Sequence, residues 1–143
     1  MKILAIAFLS AASFAYAAPA AEPSPRDLHA AECVAALDVN TQDLAKQVKS
    51  GNEAPRGLLL ERLISGTAFV GDTYLHGNAD EQQARALANR ALEAQKRLPP
   101  AELAARQLAC ANEGAKLFDD SNGLEQAVVK RLAKKRMDRL LGA

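Results

Sequence analysis

The spacing of apolar residues along the chain is helical from about residue 24 to the C-terminus. Apolar and small side chains recur in steps of three, four and seven, which place them on one face of an α-helix. No stretch shows the strict alternation of apolar and polar residues that is typical of a half-buried β-strand. Turn and capping residues divide the chain into five segments, so the pattern predicts an all-α protein.

The first segment begins at Ser24, a typical N-cap residue, with Pro25 at the first helical position. It extends to about Lys49, where Ser-Gly-Asn stops it. Asn40 and Thr41 interrupt its apolar pattern and mark the place where the segment would divide. Its predicted buried residues are Ala30, Cys33, Leu37, Leu44 and Val48.

The second segment runs from Pro55 to near His76 and has the broadest apolar face of the five, which predicts the most buried helix. Glycines in a helix cost stability unless they permit a close backbone approach. We therefore expect Gly66 and Gly71 to contact a neighbouring helix. The main apolar row of this segment consists of Leu59, Leu63, Gly66, Val70 and Tyr74.

Two proline residues and one polar turn separate the last three segments, at Pro99-Pro100 and at residues 119–123. Pairs that resemble capping boxes begin two of these segments, Asn78 with Glu81 and Asn122 with Glu125. Short connections favour antiparallel neighbours. The expected architecture is therefore a small antiparallel four- to five-helix bundle.

The N-terminus has the layout of a secretory signal peptide. Lys2 supplies a positive charge, an apolar run follows, and Ala15-Tyr16-Ala17 has the form of a cleavage site. We expect residues 1–17 to be removed, residues 18–24 to form a flexible Pro/Ala-rich lead, and residues 25–143 to form a single helical domain. The run is too short for a membrane anchor. The mature protein is therefore expected in the periplasm or outside the cell, with no transmembrane anchor.

Composition argues against nucleic-acid binding. The whole chain has 18 basic and 17 acidic residues, and removal of Lys2 with the signal peptide would leave these numbers equal. A neutral chain lacks the positive field that attracts phosphates. The chain has no Trp, and its aromatic residues beyond position 17 are Phe69, Tyr74 and Phe118, too few for a base-stacking surface.

Two cysteines, Cys33 and Cys110, lie on the apolar faces of the first and fourth segments. In an oxidising compartment they predict one structural disulfide between two helices. A redox-active pair normally has Cys-x-x-Cys spacing, which is absent. His29 shares a helical face with Cys33, but a closed metal site would also need His76 and Cys110 to converge on them. We therefore predict no metal and no cofactor.

Residues 71–81 are rich in polar groups, and Asp72, Tyr74 and His76 would make an enzyme site if they lined one pocket. A histidine near a helix C-terminus also interacts favourably with the last carbonyl groups without any catalytic role. The stretch Phe-Asp-Asp-Ser-Asn-Gly resembles a calcium loop, but Phe118 and Val129 occupy positions that need oxygen ligands. The sequence favours no catalytic residue.

The last segment contains six basic residues and two acidic ones. Such a face is often simply solvated, but it also suits a docking partner or an anionic membrane surface. We predict a non-catalytic exported module that binds another envelope protein, as an inhibitor, immunity protein or chaperone does. The expected contact residues are Lys130, Lys134, Lys135 and Arg139. A bundle that binds a small ligand or a metal, with His29 and His76 as the first suspects, is the alternative.

Overall fold

The computed structural model describes residues 21–142, and this part of the chain contains helices and no strand. The helices are α1 (Pro25–Asp38), α2 (Thr41–Lys49), α3 (Arg56–His76), α4 (Glu81–Lys96), α5 (Pro100–Asp120) and α6 (Gly123–Leu141). None of these helices combines the length and the apolar character that crossing a bilayer requires. The predicted signal peptide and residues 18–20 of the predicted lead lie outside the described residues.

All five predicted segments are helical, and the first is divided into α1 and α2. The division lies at Asn40, whose backbone is left-handed with φ of 67°. Asn tolerates this conformation better than most residues. The buried Thr41 hydroxyl donates a hydrogen bond to the carbonyl of Asp38, and Arg136 of α6 pairs with the Asp38 carboxylate. The predicted weak point is therefore a defined bend that α6 holds in place.

Capping boxes begin α1, α4 and α6, and two of the three capping residues predicted from the sequence are confirmed. Ser24 begins α1 and Asn122 begins α6, each in a capping box with the residue three positions later. The predicted start of the fourth helix at Asn78 is wrong, because Asp80 is the N-cap and pairs with Gln83. An Asp is as good an N-cap as an Asn, so the residue types alone did not decide between the two positions.

Helix α3 is the central element and packs against α1, α2, α5 and α6. One cluster of buried side chains joins α1, α3 and α5 and consists of Ala30, Cys33, Ala36, Leu37, Phe69 and Cys110. A second cluster joins α2, α3 and α6 and consists of Ala45, Leu59, Leu63, Ala133 and Met137. Because the two clusters lie on opposite halves of α3, this helix connects the halves of the core.

Hydrogen bonds between helices show the relative directions in which the helices run. Arg62 binds Gln107 and Ser65 binds the carbonyl of Ala111, so residue numbers rise together and α3 runs parallel to α5. Helix α1 runs antiparallel to both, since its start lies beside the end of α3 and the later half of α5. Helix α4 packs chiefly against α1, which is distant from it in sequence, rather than against α3 or α5, which are adjacent to it in sequence.

The apolar row predicted for α3 is buried only in its first part. Leu59 is fully buried, whereas Val70 is 55% exposed and Tyr74 is 89% exposed. The reason is that α4 packs on α1 and leaves the second half of α3 without a helix on that side. The interpretation of Val70 and Tyr74 as core residues is therefore wrong.

The predicted role of Gly66 and Gly71 is also wrong. A methyl group added at either position would meet no atom of another element. The close approach lies at Gly114 of α5, where an added Cβ would lie 2.6 Å from the Cβ and 2.8 Å from the carbonyl oxygen of Ser65. Ser65 is fully buried and donates a hydrogen bond to α5. Gly114, not the two glycines of α3, therefore permits the contact between α3 and α5.

Asp27 ties the start of α1 to the connection between α3 and α4. Its carboxylate accepts hydrogen bonds from the Ser24 hydroxyl at 2.7 Å and from the backbone N–H of Asn78 at 2.9 Å, and the residue is 4% exposed. Burial alone would raise the pKa of the Asp27 carboxyl, but the hydrogen bonds from Ser24, Asn78 and Ala79 outweigh it and lower the pKa below its ordinary value.

Because the pKa of Asp27 is lower in the folded state than in the unfolded state, its contribution to stability is complete above about pH 4. This contribution is lost as the pH falls through the folded-state value. We expect Asp27→Asn to lower the free energy of unfolding by about 2 kcal/mol at pH 7, and the difference from wild type to shrink as the pH drops below 4. Denaturant unfolding at several pH values measures this.

Asp119→Asn is the matched control, because Asp119 is exposed near the end of α5 and its substitution also removes one negative charge. The control is expected to change stability by no more than about 0.5 kcal/mol. A difference between wild type and Asp27→Asn that stays constant from pH 7 to pH 2 would show that the ionised carboxylate is not what joins α1 to the α3–α4 connection.

Candidate functional site

The outer face of α6 carries a row of exposed apolar side chains. Leu124 is 77% exposed, Val128 is 49% exposed and Leu132 is 51% exposed. They are spaced four residues apart and therefore lie along one side of the helix. The opposite side packs on α3 and α2 through the buried residues Val129, Ala133 and Met137. We call the exposed row Leu124, Val128 and Leu132 the α6 stripe.

Exposed cations lie beside the α6 stripe and on a second side of the same helix, to which Lys130 and Lys134 point. Arg131 and Lys135 follow Val128 and Leu132 by three residues and so lie beside them on the same side of the helix. Each of the four predicted contact residues on α6 is exposed to solvent, namely Lys130, Lys134, Lys135 and Arg139. Lys130 also lies over the ring of Phe118, with its Nζ 5.3 Å from the ring centre. The result is a convex apolar and basic surface along most of one helix.

Arg136 is the exception among the basic residues of α6, because it pairs with Asp38 at the bend between α1 and α2. It therefore has a structural partner within the described chain, whereas no such ion pair involves the four predicted contact residues. A helix whose outer face was only solvated would need the charges but not three large exposed apolar side chains in register. The arrangement is typical of a surface that binds a partner.

The structure does not bring together the three residues of the predicted enzyme site. Asp72 and His76 line a pocket between α3, α5 and α6, whereas Tyr74 lies on another side of α3 and lines a different cavity. Positions two apart on a helix point about 200° apart, which is the physical reason. Because the enzyme hypothesis requires all three side chains in one pocket, its structural requirement is not met.

The pocket that contains Asp72 and His76 has a volume of about 210 Å³. Asp120 and Glu125 also line it, from the end of α5 and the start of α6. Glu125 already caps α6 by accepting a hydrogen bond from the backbone N–H of Asn122. The pocket therefore gathers acidic groups near one histidine, and the hydroxyl of Ser121, which also lines it, donates its hydrogen bond to the carbonyl of Phe118 and not to a base.

A larger groove, of about 500 Å³, lies between α1, α3 and α4. Its volume is within the range of small-molecule sites. Small side chains on α1 and α4 leave the space open, and the exposed Val70 and Tyr74 of α3 form its remaining wall. The acidic residues Asp27, Asp80 and Glu81 lie at one end.

Cys33 and Cys110 lie at disulfide-bonding distance in the structure, with their Cα atoms 5.2 Å apart and 77 positions between them in sequence. The bond joins α1 to α5 inside the first core cluster, and both residues are nearly fully buried. The predicted structural connection between the first and fourth segments therefore matches the geometry.

His29 and Glu113 lie next to this disulfide. His29 Nε2 is 2.9 Å from Glu113 Oε2 and 3.9 Å from Cys33 Sγ. The His29 ring packs edge-on against Phe69, with ring centres 6.1 Å apart. His76, which the metal hypothesis placed here, lies instead in the pocket between α3, α5 and α6. The structure therefore does not bring His29 and His76 together, and the neighbour of His29 is Glu113.

No protein-family model, curated protein or solved structure matches this chain. The function must therefore be argued from the residues and their arrangement.

Sequence reasoning found the basic residues of α6 but did not identify the exposed apolar row on the same helix. The signal was present: Leu124, Val128 and Leu132 repeat at four residues, on a different side from Val129, Ala133 and Met137. Glu113 was missed because its proximity to His29 depends on the packing of α1 against α5. No spacing within one helix shows that proximity.

Proposed function

We propose that this protein is an exported, non-catalytic interaction module that binds another protein through the outer face of α6. One observation carries the proposal, namely the α6 stripe of three exposed apolar residues flanked by cations. Apolar side chains in the centre of a binding surface supply affinity, and charges at its rim supply specificity and steer association.

The partner that fits this surface is a protein with an acidic rim around an apolar groove or patch. Helix α6 has 19 residues and is therefore about 28 Å long, enough to lie along such a groove. The α6 stripe would provide the buried anchors, and the lysines and arginines beside it would pair with the acidic rim. An inhibitor, an immunity protein and a small chaperone of the cell envelope all act by such binding.

Reversal of charge on α6 tests the proposal. We expect Lys130→Glu, Lys134→Glu and Lys135→Glu together to weaken partner binding at least about tenfold, because three attractive contacts become repulsive. Leu124→Gln with Leu132→Gln is expected to weaken binding to a similar degree by removing apolar anchors. The measurement is capture of exported proteins of the source cells, identification by mass spectrometry, and titration of the captured protein.

The matched control reverses three exposed cations on other helices, with Arg90→Glu and Arg97→Glu near α4 and Lys116→Glu on α5. It changes the net charge by the same amount and is expected to leave binding unchanged. Equal loss of binding in both triple variants would contradict a specific role for α6. Binding of wild type to anionic lipid vesicles, with no captured protein that responds to the α6 variants, would also contradict the proposal.

A further inference from the structure

The residues around the disulfide have the donor atoms of a zinc site. His29 Nε2, Cys33 Sγ and a carboxylate oxygen of Glu113 all lie within 4.8 Å of one another. Cys110 Sγ lies outside this group of three but is bonded to Cys33 Sγ, so it is the next donor atom at the edge of the cluster. Imidazole nitrogen, thiolate sulfur and carboxylate oxygen are the ligands that Zn²⁺ binds in proteins.

The four residues come from two packed helices, two from each. His29 and Cys33 are four residues apart on α1, and Cys110 and Glu113 are three residues apart on α5. Both spacings place the two side chains on one face of a helix. Helices α1 and α5 run antiparallel here, with Cys33 opposite Cys110 and His29 opposite Glu113. Sites of this kind, with ligands from facing helices, are a recurrent use of helical bundles.

Two distances, both measured from His29 Nε2, can be compared with those of a tetrahedral site. Zinc bonds of 2.0–2.3 Å imply separations of about 3.3–3.8 Å between ligand atoms at the corners of a tetrahedron. The sulfur of Cys33 lies 3.9 Å from His29 Nε2, and Glu113 Oε2 lies 2.9 Å from the same nitrogen. The two sulfurs are too close while they are bonded, and breaking that bond would allow them to separate to about 3.8 Å.

The surroundings also suit a bound cation. Cys33, Cys110 and Phe69 are 2–4% exposed and close the inner side of the cluster. The side chains of His29 and Glu113 are 53% and 47% exposed, so an ion can enter from the solvent. The carboxylate of Glu113 and two thiolates would offset the charge of the ion.

We propose that the dithiol form of this protein binds one Zn²⁺ through His29, Cys33, Cys110 and Glu113, and that zinc binding and the disulfide exclude each other. The chain is made with two thiols, so the site exists before oxidation and again after reduction by a thiol compound. Oxidation by a small disulfide compound then proceeds by thiol–disulfide exchange. The two thiolates lose two electrons and form the Cys33–Cys110 bond, the oxidant is cleaved to two thiolates, and zinc leaves as Zn²⁺.

Cobalt is the probe for the first measurement, because Co²⁺ bound to thiolates in a tetrahedral site absorbs strongly in the near ultraviolet and the visible. The full protein is reduced with a phosphine, freed of reductant and titrated with Co²⁺. We expect one Co²⁺ per chain with both absorption features, stoichiometric displacement by Zn²⁺, and neither feature in the oxidised protein. Oxidation of the zinc-loaded protein with a small disulfide compound is expected to release one Zn²⁺ per chain.

Variants distinguish the four-ligand site from binding to two thiolates alone. His29→Gln and Glu113→Gln are each expected to weaken Co²⁺ binding at least about tenfold. His76→Gln and Glu102→Gln are the matched controls, because both residues are exposed and lie outside the cluster, and they are expected to change nothing. Binding that is equally strong in all four variants would overturn the proposal.

Far-ultraviolet circular dichroism of the reduced protein, with and without Zn²⁺, measures whether its helices remain folded. We expect either a helical spectrum in both samples or a helical spectrum that Zn²⁺ restores. A reduced chain that has lost its helices and does not recover them with Zn²⁺ would overturn the proposal, because α1 and α5 would not be held together to form the site.

Discussion

Replacement of both cysteines, Cys33→Ala with Cys110→Ala, is expected to lower the free energy of unfolding by about 4 kcal/mol. The bond connects residues 77 positions apart, and a crosslink that closes so long a loop strongly restricts the unfolded chain. It also joins α1 to α5 in the centre of one of the two core clusters. For a domain of this size we expect the melting temperature to fall by roughly 15 °C.

The control for this prediction is the action of a reductant on both proteins, with a metal chelator present throughout. Reduction is expected to destabilise wild type by nearly the same amount as the double substitution and to leave the double variant unaffected. Calorimetry or denaturant unfolding measures both effects. A double variant as stable as the oxidised wild type would show that side-chain packing alone holds α1 against α5.

Gly114→Ala is expected to destabilise the protein by up to about 3 kcal/mol, the next largest effect. The added methyl group would meet the Cβ, the Cα and the carbonyl oxygen of Ser65 at 2.6–2.9 Å. Backbone atoms cannot turn aside as a flexible side chain can, so α3 and α5 would have to move apart. This movement would lengthen the 3.2 Å hydrogen bond from Ser65 to the carbonyl of Ala111. Thermal or denaturant unfolding gives the size of the change.

Gly66→Ala is the matched control, since Gly66 is also a buried helical glycine but has open space where its Cβ would lie. Alanine has the higher helix propensity, so this change is expected to leave stability unchanged or to raise it by up to about 1 kcal/mol. If Gly114→Ala proved as stable as Gly66→Ala, the close approach of α3 and α5 would not be a constraint on the fold.

Properties that depend on neighbours in the sequence were predicted well. The helical period, the bend near Asn40 and the N-caps Ser24 and Asn122 all depend on residues within one turn of each other. The start of α4 was misplaced by two residues because Asn78 and Asp80 are both good caps. Asn78 in the structure instead donates its backbone N–H to Asp27, which is distant in sequence.

Properties that depend on which helices meet were predicted poorly. Gly66 and Gly71 have the same residue type as Gly114, and only the position of α3 on α5 shows which glycine is needed. Gln107 was not expected in the core, yet its amide donates to the carbonyls of Ala36 and Val39 and satisfies the end of α1. The sequence alone does not distinguish a buried glutamine that binds these carbonyl groups from a glutamine that is exposed to solvent.

The same distinction applies to the candidate sites. The charges of α6 are visible in the sequence because they follow one another along one helix. The proximity of His29 to Glu113, 84 positions apart, and the separation of Tyr74 from Asp72 and His76 depend on packing. Sequence alone therefore favoured a charged docking surface and could not predict the cluster around the disulfide.

We infer that the mature protein is an exported helical body in which Cys33 and Cys110 are bonded to each other. Intact-mass spectrometry under non-reducing conditions tests it most directly, on native protein taken from outside the cytoplasm and treated with an alkylating agent. We predict a chain that begins at Ala18 and carries no alkyl group. A chain that retains Met1, or one in which both cysteines are alkylated, would contradict the account.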